Sequence, residues 1–350
     1  MPSLFVLFYL FAWFIDQSFK RYRNVFLTIF GIVLIFCTGL RSFQWNDTSV
    51  YAQSFQYYTN DLSNYSILDT GSGYSEKGFY FLSSVIKTFT SSYTIYFLII
   101  AALTFYFLNS SLRTYCIYPL IGLCVYISRF ILTRNMMQIR AALAIVVVVW
   151  ALRYIDEKKL KFFLLSIVIA MSLHISAIIA LPLYWLNKIK ITPQFILYSI
   201  IGAFVCVMGG ASVLMGKVQE ISMMYNVATS YTSESSSYTM GMGLSNPMIY
   251  YQTLLLLLFT LLQERLSQVV PYYTVVRDGY FYSTLLLIIL SPFGVLAGRT
   301  STIYATFEIF IIPSLIFAFS PKYRFIGFMG VGVILSALFY LNYMSVVSNF

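Results

Sequence analysis

Apolar runs of membrane-crossing length recur along almost the whole chain. At about 1.5 Å per residue, some 20 residues span a ~30 Å hydrocarbon layer. Runs of that order lie near 3–19, 24–40, 92–111, 115–132, 135–154, 192–215, 247–263, 279–298, 300–320 and 324–344. No polar block between them is long enough for a separate soluble domain, so residues 1–350 are expected to form a single integral membrane domain. Charge supports this, since only 10% of residues are charged against about 25% in soluble domains. The start, Met-Pro-Ser-Leu, has no basic residue ahead of the first apolar run, so that helix is expected to remain uncleaved. The fold class expected is all-α, a polytopic transmembrane helical protein.

Basic residues set the orientation. Lys20, Arg21 and Arg23 follow the first run, which places the amino terminus outside. Arg113 and the cluster Arg153, Lys158, Lys159 and Lys161 then fall inside. A single crossing over 162–187 would push Lys188, Lys190, Arg265, Arg277, Lys322 and Arg324 outside, against the rule. A re-entrant hairpin turning near His174 keeps all six inside, giving about 11 to 12 membrane segments. Its tip would sit at membrane depth and must line a polar cavity. Outer loops follow over about 41–78 and 216–246, and Phe79 to Thr90 reads as a helix lying at the outer interface.

The net charge of +10 does not indicate nucleic acid, because the basic residues sit in short clusters between hydrophobic spans rather than along one stripe. Cys37, Cys116, Cys124 and Cys206 lie in apolar runs without ligand spacing and read as packing residues. One histidine and scattered acids make no metal-binding pattern, and there is no phosphate-binding glycine loop. No metal or cofactor is therefore expected.

Candidate chemistry gathers on the outer side. Arg41, Arg129, Arg134, Arg140 and Arg299 fall at outer span ends or within a span, where the orientation rule disfavours cations. Guanidinium forks suit the paired oxygens of a diphosphate, so convergence of these arginines would form a cradle. Treated as one helix, residues 134–144 put Arg134, Gln138 and Arg140 on one sector. Arg299, Tyr304 and Glu308 recur at five and four residues along the tenth run. Pairing of Glu308 with an arginine would be structural, and contact with a sugar hydroxyl functional. His174 can serve as a general base near neutral pH or as a helix-breaking polar residue at the hairpin tip, with Asp47 and Glu76 as competing bases.

Four segments, in order, resemble the EpsG family of membrane polysaccharide polymerases, similar in role to Wzy-type O-antigen polymerases. They are Gly39-Leu-Arg41 with Asn46-Asp-Thr48 and Tyr51; Glu76-Lys-Gly78; Arg134 to Ala141; and Leu173-His-Ile-Ser-Ala177 with Leu181-Pro-Leu-Tyr184. A fifth, Arg299 to Pro313, resembles the family's late Arg-x4-Tyr helix, whereas Ile175 stands where proline is expected. The resemblance implies a GT-C-like glycosyltransferase of a bacterial inner membrane, with its active site facing the periplasm. Donor and acceptor would be oligosaccharides on undecaprenyl diphosphate, with the lipid bilayer and a chain-length regulator protein as further partners and no nucleic acid. The growing glycan would pass to the non-reducing end of a lipid-linked repeat unit. In that scheme Arg129, Arg134, Arg140 and Arg299 hold the donor diphosphate and Arg41 the acceptor's. His174 or Asp47 takes the hydroxyl proton, and Gln138, Tyr304, Glu308 and Glu76 orient groups around it. A lipid-linked oligosaccharide flippase, an O-antigen ligase or a membrane acyltransferase are the rival readings.

Overall fold

The structure is a computed structural model that describes residues 2–66, 76–224 and 242–347. Among these residues the secondary structure is helical throughout, and the chain falls into two compact units. The first comprises residues 1–181, 269–271 and 308–350, and the second residues 182–268 and 272–307.

The first unit begins with α1 (Pro2–Ser18), α2 (Arg23–Gly39), the short α3 (Thr48–Gln53), α4 (Lys77–Phe89) and α5 (Tyr93–Tyr115). It continues with α6 (Pro119–Tyr126), α7 (Ile139–Trp150), the single turn α8 (Arg153–Asp156) and α9 (Leu160–Leu173). The second unit holds α10 (Leu183–Leu186), α11 (Pro193–Met224), α12 (Pro247–Leu261), α13 (Gln263–Leu266), α14 (Tyr273–Ile289) and α15 (Gly294–Ala305). The first unit is completed by α16 (Glu308–Ser314) and α17 (Arg324–Val347).

Within the first unit α2 packs on α5, α5 on α7 and α7 on α9, while α1 lies against α6 and α17. Every residue of α6 is buried. Proline at its first position needs no amide partner, and the next two amides, of Leu120 and Ile121, donate to Asp16 Oδ2 at 3.0 and 3.1 Å. A carboxylate in the interior thus satisfies the positive end of a buried helix. Tyr9 ties α1 to α17 by donating its hydroxyl to the Phe328 carbonyl at 2.6 Å. In the second unit α11 and α12 pack on α14, which also packs on α15. There the buried Arg277 donates to Asp278 Oδ1 at 2.9 Å and to the Ile191 carbonyl at 2.8 Å.

Among the described residues, three helical stretches are long and apolar enough to cross a membrane: Tyr93–Tyr115, Pro193–Gly210 and Pro321–Val346. A fourth results if Gly294–Ala305 and Glu308–Ala318 count as one broken span, and six shorter apolar helices accompany them. The interruption expected at His174 is present. That residue is extended (φ −158°, ψ 120°) between α9 and a 3-10 segment, Ile175–Ala180. The expected interfacial helix corresponds to α4.

Several boundaries differ from those expected. The break placed near 299 falls instead at 290–293, where Pro292 has no amide to continue α14. Residues 216–224, assigned to an outer loop, extend α11 beyond a non-helical Gly210. The rest of that loop, 225–241, and residues 67–75 of the first lie outside the described residues.

Close approach of α6 depends on Gly122, where an added Cβ would lie 2.8 Å from both the Ile309 carbonyl oxygen and Cys116 Sγ. Gly122→Val is therefore expected to cost about 1–3 kcal/mol of stability. Gly202→Ala, where a Cβ meets nothing within 4 Å, should leave stability unchanged or raise it by about 0.5–1 kcal/mol. Thermal unfolding of the detergent-solubilised protein checks both.

Candidate functional site

The residue before α4 organises the first cluster. Glu76 is extended (φ −101°, ψ 118°) and only 8% exposed. Its Oε2 accepts from Arg140 Nη1 at 2.5 Å, and its Oε1 lies 2.8 Å from His174 Nδ1. Gly78 makes this reach possible, because any side chain there would collide with Ser172 on α9, two residues before the histidine. Arg140 stands in the first turn of α7 and donates its Nε to the Tyr51 hydroxyl at 3.3 Å. The Tyr51 ring in turn packs on Phe79 of α4, 6.5 Å between centroids. One carboxylate therefore holds a guanidinium and an imidazole that are 34 residues apart in the chain.

The chemistry follows from this pairing. Glu76 already accepts from Arg140, so the carboxylate is an acceptor, and His174 Nδ1 is assigned as the donor. The tautomer with the proton on Nδ1 presents Nε2 as a base. A carboxylate behind the ring stabilises the imidazolium that forms when Nε2 takes a proton. Arg140 fixes that carboxylate in place.

A second cluster grows from a π-helical turn, Ile127–Ile131, that extends α6. Such wide turns recur at functional sites because they shift side chains out of helical register. Here Arg129 and Arg134 both lie over the Phe130 ring, with guanidinium carbons 5.5 and 3.8 Å from its centroid. Arg129 Nε donates to Glu308 Oε2 at 3.1 Å, and Glu308 is wholly buried at the start of α16. Arg134 is 3% exposed. The following residue, Asn135, accepts the Tyr126 hydroxyl on its Oδ1 at 2.7 Å.

Arg41 joins this turn from the end of α2. Its Nη1 donates to the carbonyls of Asn135 and Met136 at 2.7 and 3.1 Å, and its guanidinium covers Phe97 at 4.2 Å. Arg41 Nε is buried without an acceptor. Asp47 is exposed, with φ at +63°, and precedes α3 without a side-chain capping bond, one turn before Tyr51. Within the first unit four guanidiniums, from Arg41, Arg129, Arg134 and Arg140, thus accompany the carboxylates of Asp47, Glu76 and Glu308. The balance is cationic.

Other placements differ from those expected. Residues 132–138 are not helical: Met136 and Gln138 donate to carbonyls five residues back, and α7 begins only at Ile139. Arg134 and Arg140 therefore do not share a helix face, and Gln138 is an exposed residue preceding α7. Arg299, Tyr304 and Glu308 do not share one helix either, since α15 ends at Ala305 and α16 starts at Glu308. Arg299 and Tyr304 belong to the second unit. Arg299 is exposed there, and Tyr304 is buried against the rings of Tyr282 and Phe307 at 6.2 and 5.0 Å.

Tyr51 and Phe130 are the contributors that the sequence left without a role. Tyr51 was signalled by its place in the first segment of the family resemblance and Phe130 only by its position between two arginines. Among the described residues no group of three or more His, Cys, Asp and Glu side chains gathers where a metal ion could be held. Cys37, Cys116, Cys124 and Cys206 are all free thiols.

The site is a buried carboxylate shared by a half-buried imidazole and a half-buried guanidinium, set among apolar helices of membrane type. The family model of the EpsG family matches residues 24–350, and the chain belongs to that family. No curated protein and no solved structure matches it. Membership points to a polysaccharide-polymerase type of function and to a glycosyltransferase-like enzyme of a membrane.

Removing Glu308 takes away the buried carboxylate to which Arg129 Nε donates. Glu308→Ala should cost about 3 kcal/mol, whereas Glu308→Ala combined with Arg129→Met should recover most of that loss. A thermal-unfolding double-mutant cycle measures the coupling, and additive losses would show that the pair does not hold the turn.

Proposed function

We propose that the protein is a polysaccharide polymerase that transfers a growing glycan from undecaprenyl diphosphate to the non-reducing end of a lipid-linked oligosaccharide repeat unit. The reaction takes place at the periplasmic face of a bacterial inner membrane. The observation that carries this reading is the Glu76 carboxylate holding both His174 and Arg140. Glycosyl transfer to a hydroxyl requires a base for the hydroxyl proton and positive charge for the departing diphosphate. His174 Nε2 takes the proton, Glu76 stabilises the resulting imidazolium, and undecaprenyl diphosphate leaves with the electrons of the broken sugar–oxygen bond.

The cationic surplus in the first unit supports the second requirement. Arg129 and Arg134 are assigned to the donor diphosphate, with Phe130 between them keeping their planes fixed. Arg140 shares its charge between Glu76 and the reacting centre, and Arg41 serves the acceptor from its anchorage on the Asn135–Met136 carbonyls. Asp47, Gln138 and Glu308 are proposed as orienting groups, Glu308 through its hold on Arg129. Energy comes from the glycosyl diphosphate, so no nucleotide or other cofactor is required. A chain-length regulator is the proposed protein partner.

Two measurements test this. In a cell lacking the gene, the wild-type chain should restore polymer. His174→Gln and Glu76→Gln should leave lipid-linked single units, with extension of purified lipid-linked repeats slowed about 10²–10⁴-fold. Normal ladders from His174→Gln would remove the histidine as base. Arg140→Lys should also abolish ladders, because a point charge replaces a planar fork that binds Tyr51 and Glu76 at once. Repeats trapped on the inner face of the membrane, or an acceptor left unmodified while polymer persists, would instead indicate a flippase or a ligase.

A further inference from the structure

Arg140 is held by groups from two neighbouring helices, the Tyr51 hydroxyl of α3 and the Glu76 carboxylate ahead of α4. Its position therefore depends on how those two helices sit against each other. α3 runs on into a π-helical turn, Ser54–Tyr58, which stops where Thr59 becomes extended (φ −97°, ψ 121°). The last carbonyls of such a segment have no helical amide to accept from and carry partial negative charge. Lys87, in the last turn of α4, meets two of them. Its Nζ donates to the Phe55 and Gln56 carbonyls at 3.0 and 2.9 Å and lies 5.0 Å from the Phe55 ring centroid.

Neighbouring contacts hold the same joint. The Leu62 amide donates to Thr88 Oγ1 at 3.1 Å, and the Tyr65 ring stacks on Tyr80 of α4 at 5.5 Å. Phe55 is fully buried and stacks on Tyr96 at 4.2 Å, so one of the carbonyls that Lys87 meets belongs to a residue fixed in the core. The contacts close a ring. It runs from Arg140 to Tyr51, one helical turn on to Phe55, across to Lys87, and back along α4 to Glu76. Along that helix Lys87 and Glu76 are about 16 Å apart, so the ammonium touches none of the reacting groups and acts on them only through the two helices.

We propose that Lys87 is a positioning residue for the Glu76, Arg140 and His174 cluster. By pinning α4 to the end of the α3 segment, it sets the place at which Glu76 and Tyr51 together hold Arg140, and so the place at which Glu76 meets the imidazole. The inference rests on the reading of that cluster as the reacting centre.

The chain contains a single histidine, so the imidazole can be followed without ambiguity. The full protein, purified without a polyhistidine tag and isotopically labelled at its histidine nitrogens, gives resonances that report the hydrogen bond between Nδ1 and Glu76. In Lys87→Met these resonances should move from their wild-type positions toward those of Glu76→Gln. Lys20→Met, at an exposed lysine between α1 and α2, should leave them in place. A general loss of stability does not displace the resonances of the folded state, so the readout separates positioning from mere support. In extension of purified lipid-linked repeats, Lys87→Met should lower kcat by about 10²-fold with KM unchanged, the effect of a small misplacement of reacting groups. Lys87→Gln keeps one donor and discards the charge, and its smaller displacement decides the outcome if Lys87→Met fails to fold. Wild-type imidazole resonances in the folded Lys87 variants, or an equal displacement in Lys20→Met, would overturn the proposal. Unmoved resonances beside normal wild-type ladders remove the pin alone, whereas displaced resonances in a protein whose wild type extends no repeats uphold the pin and remove the polymerase reading.

Discussion

A carboxylate buried in an apolar helical framework is costly unless its charge is matched, and the candidate site depends on how Glu76 meets that requirement. Its two oxygens are divided between Arg140 and His174, so three groups that would each be expensive in isolation stabilise one another. The backbone serves the same end. α4 approaches α9 closely only because residue 78 is glycine, and that approach brings Glu76 to the histidine. Local conformation, packing and acid–base chemistry are joined at this one carboxylate.

Counter-charges elsewhere follow the same economy by different means. Glu308 accepts from a guanidinium supplied by a widened helical turn, and Asp16 Oδ2 accepts from backbone amides at the start of a buried helix. Arg277 and Asp278 are adjacent in sequence, and Arg277 donates both Nε and Nη2 to Asp278 Oδ1 in the interior of the second unit. Each arrangement admits a polar group where water does not reach. Among the described residues the Glu76 arrangement alone also places an imidazole against the pair.

Much of the helical framework was legible from hydropathy, because a membrane-length apolar run has few alternatives. The break at His174 was legible for a different reason: an unbroken crossing would have misplaced six basic residues. Residues 132–138 were not legible. Their composition permits a helix, but Arg41 donates to the backbone carbonyls of Asn135 and Met136 and the Tyr126 hydroxyl to Asn135 Oδ1, which hold the chain in a wide turn. Those contacts join positions as far as 95 residues apart, which one-dimensional periodicity cannot register. The arginines were identifiable by their improbable location. Their partners were not, since the pairing of Arg140 with Glu76, or of Arg129 with Glu308, is set by tertiary packing alone.

Because Glu76 leads directly into α4, the carboxylate moves with that helix as a rigid attachment. Sliding α4 along its axis by the rise of one residue, about 1.5 Å, would separate Glu76 from the imidazole and the guanidinium together. An axial shift of α4 would thus reach both partners of the carboxylate at once, so the seating of a single helix sets the geometry of all three groups.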